Sequence, residues 1–435
     1  MPHKIAIVAA IEPGDEVNIL ELTSLTSMRL RDTFTDPLGE LSVSVGVNRS
    51  TIANVLKYVA RGSRVTATVD GAPQFCGTIQ SIKRGTGRSG ASVSFVAKSI
   101  LAEPFRGHVN PNLRLHTKGD TAVEETISEA LAPFSLGPDG LTILDFTTGL
   151  DKRSQSMGKP WKFPSRKKFL SSLKTSDLKP QQGQSAYAFI SGFLSRMGVM
   201  LRPSAYPGQV IITYPEYDGD PPYGVAEGYA ATDKFFTPVH DDWEFSESNE
   251  QGFSEVTIWG NKIDVAGKKQ AAPDQVRVLR PPFFLQKPGY TAADDKIIRD
   301  GVEKKLKTKY YKQTLTADKM QCDYPQYVST FAPYVPYIIQ DKRAKDSKAC
   351  VNSAYLEFAK RAQHAVSLPV RVTGFASRNG FIWQTNTLCQ AKMPTADIDS
   401  TMWVFERTFS HGPDGQYTDL TLLPKNALFI GEIPE

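Results

Sequence analysis

Residues 183–215 read GQSAYAFISGFLSRMGVMLRPSAYPGQVIITYP and carry the sharpest local pattern in the chain. Apolar residues recur at spacings of i, i+1, i+4, i+5 and i+8, which places them on one face of an amphipathic helix. These residues are Phe189, Ile190, Phe193, Leu194 and Met197. Ser185 can cap the helix, and Gly198 lies near its end. Strand-like residues follow on both sides of a turn at 206–208. The stretch predicts a helix–strand–turn–strand unit whose helix belongs to a core.

Residues 17–105, upstream of this unit, alternate between apolar and polar side chains as half-buried strands do. Residues 65–69 alternate with a period of two, and Asp70-Gly71 then gives a strong hairpin signal. The returning strand contains Gly77, and a glycine inside a strand often marks a bulge or a sharp bend. The region therefore predicts an antiparallel meander, the usual start of a barrel or a sandwich.

The C-terminal part of the chain returns to strand patterns. Residues 402–409 alternate apolar and polar side chains, and residues 417–423 form the last predicted strand after a turn. Residues 381–383 are expected to restart a strand after a turn at 377–380. Within them, Trp383 is interpreted as a packed core or interface aromatic. The sequence thus has two β-rich blocks, one at each end.

The middle of the chain is less regular. Short helices are predicted near residues 122–130 and 354–365, and a Lys-rich helix at 292–312. Residues 151–180 contain nine Lys or Arg and only two acidic residues, with three prolines. We interpret this stretch, like the basic residues 304–312, as solvated surface. Binding to phosphates with base stacking, or to an acidic partner protein, stays open for both.

Composition bounds the class of protein. The chain has 435 residues, of which 40% are apolar and 22% are charged, as expected for a folded protein of two to four domains. The net charge of +5 is mild and does not demand a DNA-binding face. The four cysteines lie far apart and are interpreted as reduced thiols. The apolar run near the N-terminus is short for a signal peptide, and no segment has transmembrane length, so we expect a soluble protein.

No catalytic or metal-binding constellation stands out. Gly85, Gly87 and Gly90 match GxGxxG, but a strand pattern follows them where a nucleotide site needs a helix. We interpret them as a hairpin turn. The P-loop, HExxH and GxSxG motifs are absent, and the six histidines are scattered. The acidic clusters at 218–220 and 240–242 are interpreted as solvated loops. The prediction is no catalytic residue, no metal site and no cofactor.

Three stretches, taken in order, resemble the baseplate hub proteins of Mu-like contractile-tailed phages, of the late control protein D and VgrG-type hub family. The first is GSRVTATVDGAPQFCGTIQSI at 62–82, and the second is residues 183–215. The third is 368–429, which contains LPVRVTGFASRNGFIWQTNTL and GQYTDLTLLPKNALF. Residues 106–180 and 285–335 have no clear counterpart.

The resemblance implies a mainly β fold with α+β insertions: two tube-like antiparallel β-barrel domains plus smaller mixed α/β domains. We expect five parts. They are a first tube-like barrel at 1–105, a basic insertion or linker at 106–180, a helix–strand–strand domain at 181–250, a second tube-like barrel at 251–290 together with 368–435, and a helical insertion at 291–367.

The resemblance also implies a structural, non-enzymatic role as a homotrimeric hub. Such a hub adapts the sixfold tail tube to the threefold central spike and leaves a central channel for DNA ejection. The implied partners are other copies of the chain, the tail tube protein, the central spike protein, the tape-measure protein and neighbouring baseplate wedge proteins. DNA would pass only transiently, without stable membrane association. The expected location is the tail baseplate of the virion, after assembly in the host cytoplasm.

Other functions stay open. A VgrG-like spike hub of a secretion or contractile injection system would share the fold but normally continues into a β-helical needle. The last predicted strand here is soon followed by Glu435, which favours a separate spike. A tail-associated cell-wall hydrolase is disfavoured because no hydrolase constellation was found. A DNA-binding protein that uses residues 152–179 is the remaining alternative.

Overall fold

The computed structural model describes residues 2–11, 18–22, 25–48, 52–87, 90–110, 123–134, 141–145, 180–195, 199–217, 219–231, 233–240, 243–247, 255–260, 275–279, 313–315, 336–341 and 366–424. Strands dominate these residues, so the fold is mainly β, as the sequence predicted. No helix in this part of the chain is long and apolar enough to cross a membrane.

The N-terminal block consists of seven strands and one short helix in the described residues. They are β1 (Ile5–Ile11), β2 (Asn18–Leu22), β3 (Leu25–Thr33), β4 (Glu40–Val47), α1 (Ile52–Tyr58), β5 (Arg64–Val69), β6 (Ala72–Gly87) and β7 (Gly90–Ser99). Asp70 and Gly71 both have positive φ, 49° and 82°, as the predicted hairpin turn requires. The β6–β7 hairpin turns between Gly87 and Gly90, which confirms the hairpin interpretation of the glycine motif.

Gly77 lies inside β6 where the backbone of β7 comes very close. A Cβ at this position would lie 2.0 Å from the carbonyl oxygen of Lys98. The register of β6 shifts on either side of it, at Gln74 against β5 and at Gln80 against β7. The bend predicted from this glycine therefore consists of two flanking bulges, with Gly77 at the closest backbone contact between them.

The middle of the chain supplies short elements. They are α2 (Ala102–Arg106), α3 (Val123–Leu131), β8 (Thr142–Asp145), α4 (Ala186–Leu194), β9 (Met200–Pro203), β10 (Gln209–Thr213), β11 (Tyr223–Ala226), β12 (Phe236–Pro238) and β13 (Ser246–Glu247). β8, β10 and β9 form a three-stranded sheet. The predicted helix–strand–turn–strand unit is α4, β9 and β10, and the predicted helix at 122–130 is α3.

Helix α4 begins and packs as its sequence predicts. The Ser185 hydroxyl accepts a hydrogen bond from the backbone N–H of Ala188 at 3.1 Å and caps the helix. Phe189, Ile190 and Leu194 are buried in a cluster with residues such as Leu101 of the N-terminal block. The side chains of Phe193 and Met197, and Gly198, lie outside the described residues.

The C-terminal block contains β18 (Val366–Thr373), β19 (Leu388–Met393), β20 (Ile398–Gly412) and β21 (Gly415–Pro424). Strands β11, β12 and β13 add to its edges. Residues 381–383 do not form the strand predicted for them, since only a single bridge joins Ala376 to Ile382. Trp383 is fully buried and packs edge-on against Tyr223, with ring centroids 4.5 Å apart, so it is a core residue.

The two blocks share one continuous sheet. Its central run is β6, β7, β4, β3, β20, β21, β18 and β13, and every neighbouring pair is antiparallel. β3 and β20 join the blocks, with Thr33 opposite Glu406 and Met28 opposite His411. One apolar core cluster consequently contains residues from both ends of the chain.

A separate four-stranded sheet is formed by β14 (Glu255–Gly260), β15 (Gln275–Leu279), β16 (Gln313–Leu315) and β17 (Pro336–Asp341). No described pairing joins it to the shared sheet, although residues 251–290 were expected in the second barrel. Residues 223–247 supply strands to the C-terminal block instead. The five-part division as a whole stays a prediction, because the helices expected at 292–312 and 354–365 and both basic stretches lie outside the described residues.

Candidate interaction site at the junction of the two β blocks

The β6–β7 and β20–β21 hairpins repeat the same design within one chain. Each first strand carries a bulge, at Gln80 in β6 and at Phe405 in β20. A seven-residue ladder then runs from the bulge to the turn, over residues 81–87 in β6 and 406–412 in β20, and a two-residue connection between glycines closes each hairpin. Position k of the first hairpin thus corresponds to position k + 325 of the second.

The first strands of the two hairpins also leave their first partners in the same way. Before its bulge, β6 pairs with β5, and β20 pairs with β19. After its bulge, β20 pairs with β3 and so connects the two blocks. Bulges twist and redirect strands, which explains why each strand leaves its first neighbour at that residue. The β3–β20 contact is the candidate site, because it fixes one block against the other.

A largely buried ionic network lies under this contact. The Asp32 carboxylate on β3 accepts a hydrogen bond from Arg202 Nη2 at 2.7 Å and one from Thr385 Oγ1 at 2.7 Å. Arg407 on β20 places Nε 3.5 Å from the second carboxylate oxygen of Asp32. Arg407 also donates to Gln74 Oε1 at 2.8 Å and to the backbone carbonyl of Trp383. The network therefore connects β3, β6, β9 and β20.

Burial and charge act against each other in this network. Burial alone would raise the pKa of Asp32, but the positive charges of Arg202 and Arg407, with the hydrogen bond from Thr385, hold that pKa below its usual value. Burial lowers the pKa of Arg407, and the negative charge of Asp32 opposes that change. The carboxylate is therefore retained as an anion between two cations, where its removal would leave buried positive charge uncompensated.

Aromatic side chains cover one side of the network. Phe34 and Tyr217 both pack edge-on against Trp403, with ring centroids 5.0 Å and 5.3 Å away. The Arg202 guanidinium lies 4.8 Å from the centre of the Phe34 ring, a distance that allows a cation–π contact. The Trp403 indole N–H donates to Asn386 Oδ1 at 3.1 Å. These contacts bring residues from the N-terminal block, the middle and the C-terminal block together.

The opposite face of the junction carries charge pairs between neighbouring strands. Arg31 makes a bidentate pair with Glu406, at 2.9 Å and 3.0 Å, and Thr33 adds a hydrogen bond to the same carboxylate at 2.8 Å. Arg371 and Asp419 form a similar pair between β18 and β21. Such pairs between strands favour one register over its neighbours.

Asp32, Arg202 and Arg407 were not predicted as site residues from the sequence. Asp32 lies 170 residues from Arg202 and 353 from Thr385 in the chain. Each charged residue alone resembles an ordinary charge on a strand. One signal was available. Arg407 lies two residues before Phe409, on the face of β20 that points to the core, and an arginine in an inward position needs a buried partner.

The structure places the other highlighted residues in structural positions. Cys76 and Cys389 are buried free thiols, and burial raises the pKa of Cys76 to about 11 and raises that of Cys389 as well. His3 contacts Asp70 at 2.6 Å and stacks on Phe375. Within the residues that the structure describes, no group of three or more His, Cys, Asp or Glu could hold a metal ion.

No protein-family model and no curated protein matches the chain. Solved structures do match it over its full length. The 43 kDa tail protein of prophage MuSo2 from Shewanella oneidensis is 12% identical, with a TM-score of 0.62, over 98% of this chain and 99% of that one. The tail protein from Neisseria meningitidis MC58 is 14% identical, with a TM-score of 0.61, over all of both chains.

These two matches establish the fold of the chain. Both alignments cover essentially the whole of each protein. The identities are low, so the likeness concerns architecture and not individual residues. The chain therefore has the fold of the MuSo2 and Neisseria tail proteins, and the resemblance predicted from its sequence is confirmed at the level of the fold.

Proposed function

We propose that the chain is the structural baseplate hub of a contractile phage tail. In this proposal it forms a homotrimer that joins the sixfold tail tube to the threefold central spike, around a central channel for DNA ejection. The observation that carries the proposal is the repeated hairpin. One chain has two β blocks of like design, so three chains present six similar units to the tube and three identical units to the spike.

The buried junction supports this role physically. A symmetry adaptor requires its two blocks to keep a fixed relative orientation, because each must meet an equivalent site on the tube. Asp32, Arg202 and Arg407 and the aromatic cluster around Trp403 join the blocks through several independent contacts. The names of the two matching structures, both tail proteins, agree with this role.

The proposed partners follow from the same role. They are other copies of the chain, the tail tube protein, the central spike protein, the tape-measure protein and the neighbouring wedge proteins of the baseplate. DNA would pass through the channel transiently, and no stable membrane association is proposed. The protein would assemble in the host cytoplasm and reside in the tail baseplate of the virion. It would act through its surfaces and not through catalysis.

Native mass spectrometry and negative-stain electron microscopy of the purified chain test the proposal. We expect a trimer whose class averages show a ring of six similar lobes around a central hole. A stable monomer at micromolar concentration, with no rings, would contradict the hub function. Peptidoglycan zymography supplies an independent arm, since a clear lysis band that is lost on heat denaturation would replace a structural role with a hydrolase.

A further inference from the structure

The two repeated hairpins differ in what their first strands meet after the bulge. The second half of β20 pairs with β3. Among the described strands, none pairs with residues 80–87 of β6 on the side away from β7. The segment therefore offers a row of backbone N–H and C=O groups suited to pairing with another strand. Lys83 and Arg84 are exposed there, and Ile82 is partly buried.

The repeat identifies the strand that corresponds to β3. Arg31 on β3 lies opposite Glu40 on β4. Strand β4 corresponds to β18, because β4 pairs with β7 as β18 pairs with β21, and this comparison sets Glu40 equivalent to Ser367. The residue opposite Ser367 is Ser246 on β13. Ser246 is therefore the counterpart of Arg31.

The β13 segment is longer than its two-residue ladder. Val239 forms a bridge with Val372, and the His240 N–H donates to the Arg371 carbonyl at 2.8 Å. Residues 239–240 and 246–247 thus lie along the outer edge of β18, much as β3 lies along β4. Among the described residues, the outer edge of β13 ends the run of eight strands, whereas Val239 donates its N–H to the Ala226 carbonyl.

We propose that residues 82–86 of β6 pair antiparallel with residues 243–247 of a second copy of this chain. The β3–β20 contact serves as the template. In that contact Thr408 lies opposite Arg31, and the equivalent residues are Lys83 and Ser246. Lys83 of one copy therefore lies opposite Ser246 of the next. The inference rests on the proposed homotrimer and assigns the surface through which the copies meet.

Strand direction is consistent with a closed ring. The run from β6 to β13 contains eight strands, and all neighbours are antiparallel. Because the number is even, β6 and β13 point in opposite directions, so β13 of one copy meets β6 of the next antiparallel. An odd number would force a parallel contact at each boundary. Head-to-tail contacts of this type form closed rings when the rotation between copies completes a circle.

Charge favours a second copy as the occupant of this edge. The β6 segment exposes Lys83 and Arg84, and the 239–247 segment exposes Glu244, two residues before Ser246. In the proposed register Lys83 and Glu244 are diagonal neighbours, within reach of each other. The template contains the same type of pair, Arg31 with Glu406. The β6 edge thus carries positive charge and the β13 segment negative charge, so each edge pairs more favourably with the other than with a second copy of itself.

Disulfide trapping tests the register directly. Opposite residues in an antiparallel pair have Cα atoms about 4.5–5.5 Å apart, within the range that a disulfide spans. We expect the Lys83→Cys, Ser246→Cys double variant to give covalent trimers after mild oxidation of the native protein. The Ser81→Cys, Ser246→Cys variant, two residues out of register, should cross-link far less. Each single variant and the unmodified chain control for the native cysteines.

A charge swap supplies the second arm. Lys83→Glu should raise the concentration at which half of the trimer dissociates by about fivefold per interface, the scale of one charge pair between strands. Adding Glu244→Lys to the same chain should restore it. Both residues are exposed, so variants diluted until the trimer dissociates should melt as the unmodified chain does. An unchanged dissociation midpoint in Lys83→Glu would contradict the proposed register.

The outcomes separate this inference from the proposed function. A trimer that neither cross-links in the Lys83→Cys, Ser246→Cys variant nor responds to the charge swap would overturn the inference and leave the hub function standing. A chain that stays monomeric in every variant would overturn both. Covalent trimers together with rescue by the charge swap would support both.

Discussion

The β6–β7 and β20–β21 hairpins have the same backbone plan but opposite surroundings. After the bulge, β20 carries Arg407, Thr408 and Phe409, all at most 6% exposed. The corresponding residues of β6 are Ile82, Lys83 and Arg84, of which the last two are exposed. The plan of a hairpin therefore does not decide which of its residues are buried. That depends on whether a further strand lies against it, as β3 does for β20.

The comparison also shows how a repeated unit acquires two roles. The second half of β20 is held against β3 and the core by the Asp32 network and by the buried side chain of Phe409. The second half of β6 has a charged edge. Such charge disfavours non-specific strand pairing and leaves the edge available to a complementary strand.

Asp32→Asn should weaken the ionic contacts that hold β20 against β3, which β6 lacks. The substitution keeps the shape of the side chain but leaves Arg202 and Arg407 buried without their anion. Breaking a buried pair in this way costs about 3–5 kcal/mol. Urea denaturation followed by fluorescence should show this loss of unfolding free energy, and hydrogen exchange should show faster exchange in the second half of β20.

Asp419→Asn is the matched control for that prediction. It removes the acid from the exposed Arg371–Asp419 pair in the same block. Surface pairs contribute little, so we expect a change within about 1 kcal/mol. Equal losses in the two variants would show that the Asp32 network does not hold the junction.

Acid should weaken the β3–β20 junction through the same carboxylate. The pKa of Asp32 is lower in the folded chain than in the unfolded chain, where the reference value is about 3.9. Its contribution is therefore complete above that pH and is lost as pH falls through the lower folded pKa. Urea titrations from pH 7 to pH 3 should show the stabilities of the wild type and Asp32→Asn converging below pH 4. A constant gap would contradict this.

Gly77→Ala tests the first half of β6, where the hairpins also differ. The equivalent position in β20 is Met402, whose side chain is fully buried. At Gly77 the new Cβ would meet the Lys98 carbonyl, so β7 must move, at a cost of about 1–3 kcal/mol. Gly85→Ala in the same strand meets only the flexible Ser92 side chain and should stay within about 0.5 kcal/mol. Thermal melts should show the larger loss of stability for Gly77→Ala. A larger loss for Gly85→Ala would contradict the prediction.

Ser185→Ala should have the smallest effect, on the unit that packs near the first hairpin. Loss of the N-cap of α4 costs about 1 kcal/mol. Hydrogen exchange should increase in α4 and leave the β3–β20 amides unchanged, because α4 packs on residues such as Leu101. Ser191→Ala, on the same helix but without a capping role, is the control. A uniform change across the chain would mean that α4 and the junction unfold together.

Local features of the fold could be read from the sequence. The Asp70-Gly71 and Gly87–Gly90 hairpins, helix α4 and its Ser185 cap depend on residues close together in the chain, so period and turn chemistry suffice to predict them. The strand predicted at 381–383 was wrong. The apolar residues there have a strand-like pattern, but a tight turn around Ser377 and the burial of Trp383 determine the backbone conformation.

The candidate site could not be predicted in the same way. The Arg31–Glu406 pair spans 375 residues, and nothing near either residue indicates the other. The bulge at Phe405 also changes which face of β20 points inward, so simple alternation from Met402 places Arg407 on the wrong face. A bulge is a local backbone choice with weak sequence signals, and it decides here which charges become buried.

The pairing of β3 with β20 can form only late in biosynthesis, after β20 has been made. A ribosome that adds about 5–20 residues per second needs roughly 20–75 s to make the 375 residues between Arg31 and Glu406. During that interval the nascent N-terminal block must present the edge of β3 without its partner. Arg29 and Arg31, exposed on that strand, give it the charge that protects open edges from aggregation. Both arginines would thus oppose aggregation during translation. In the finished sheet Arg31 then pairs with Glu406.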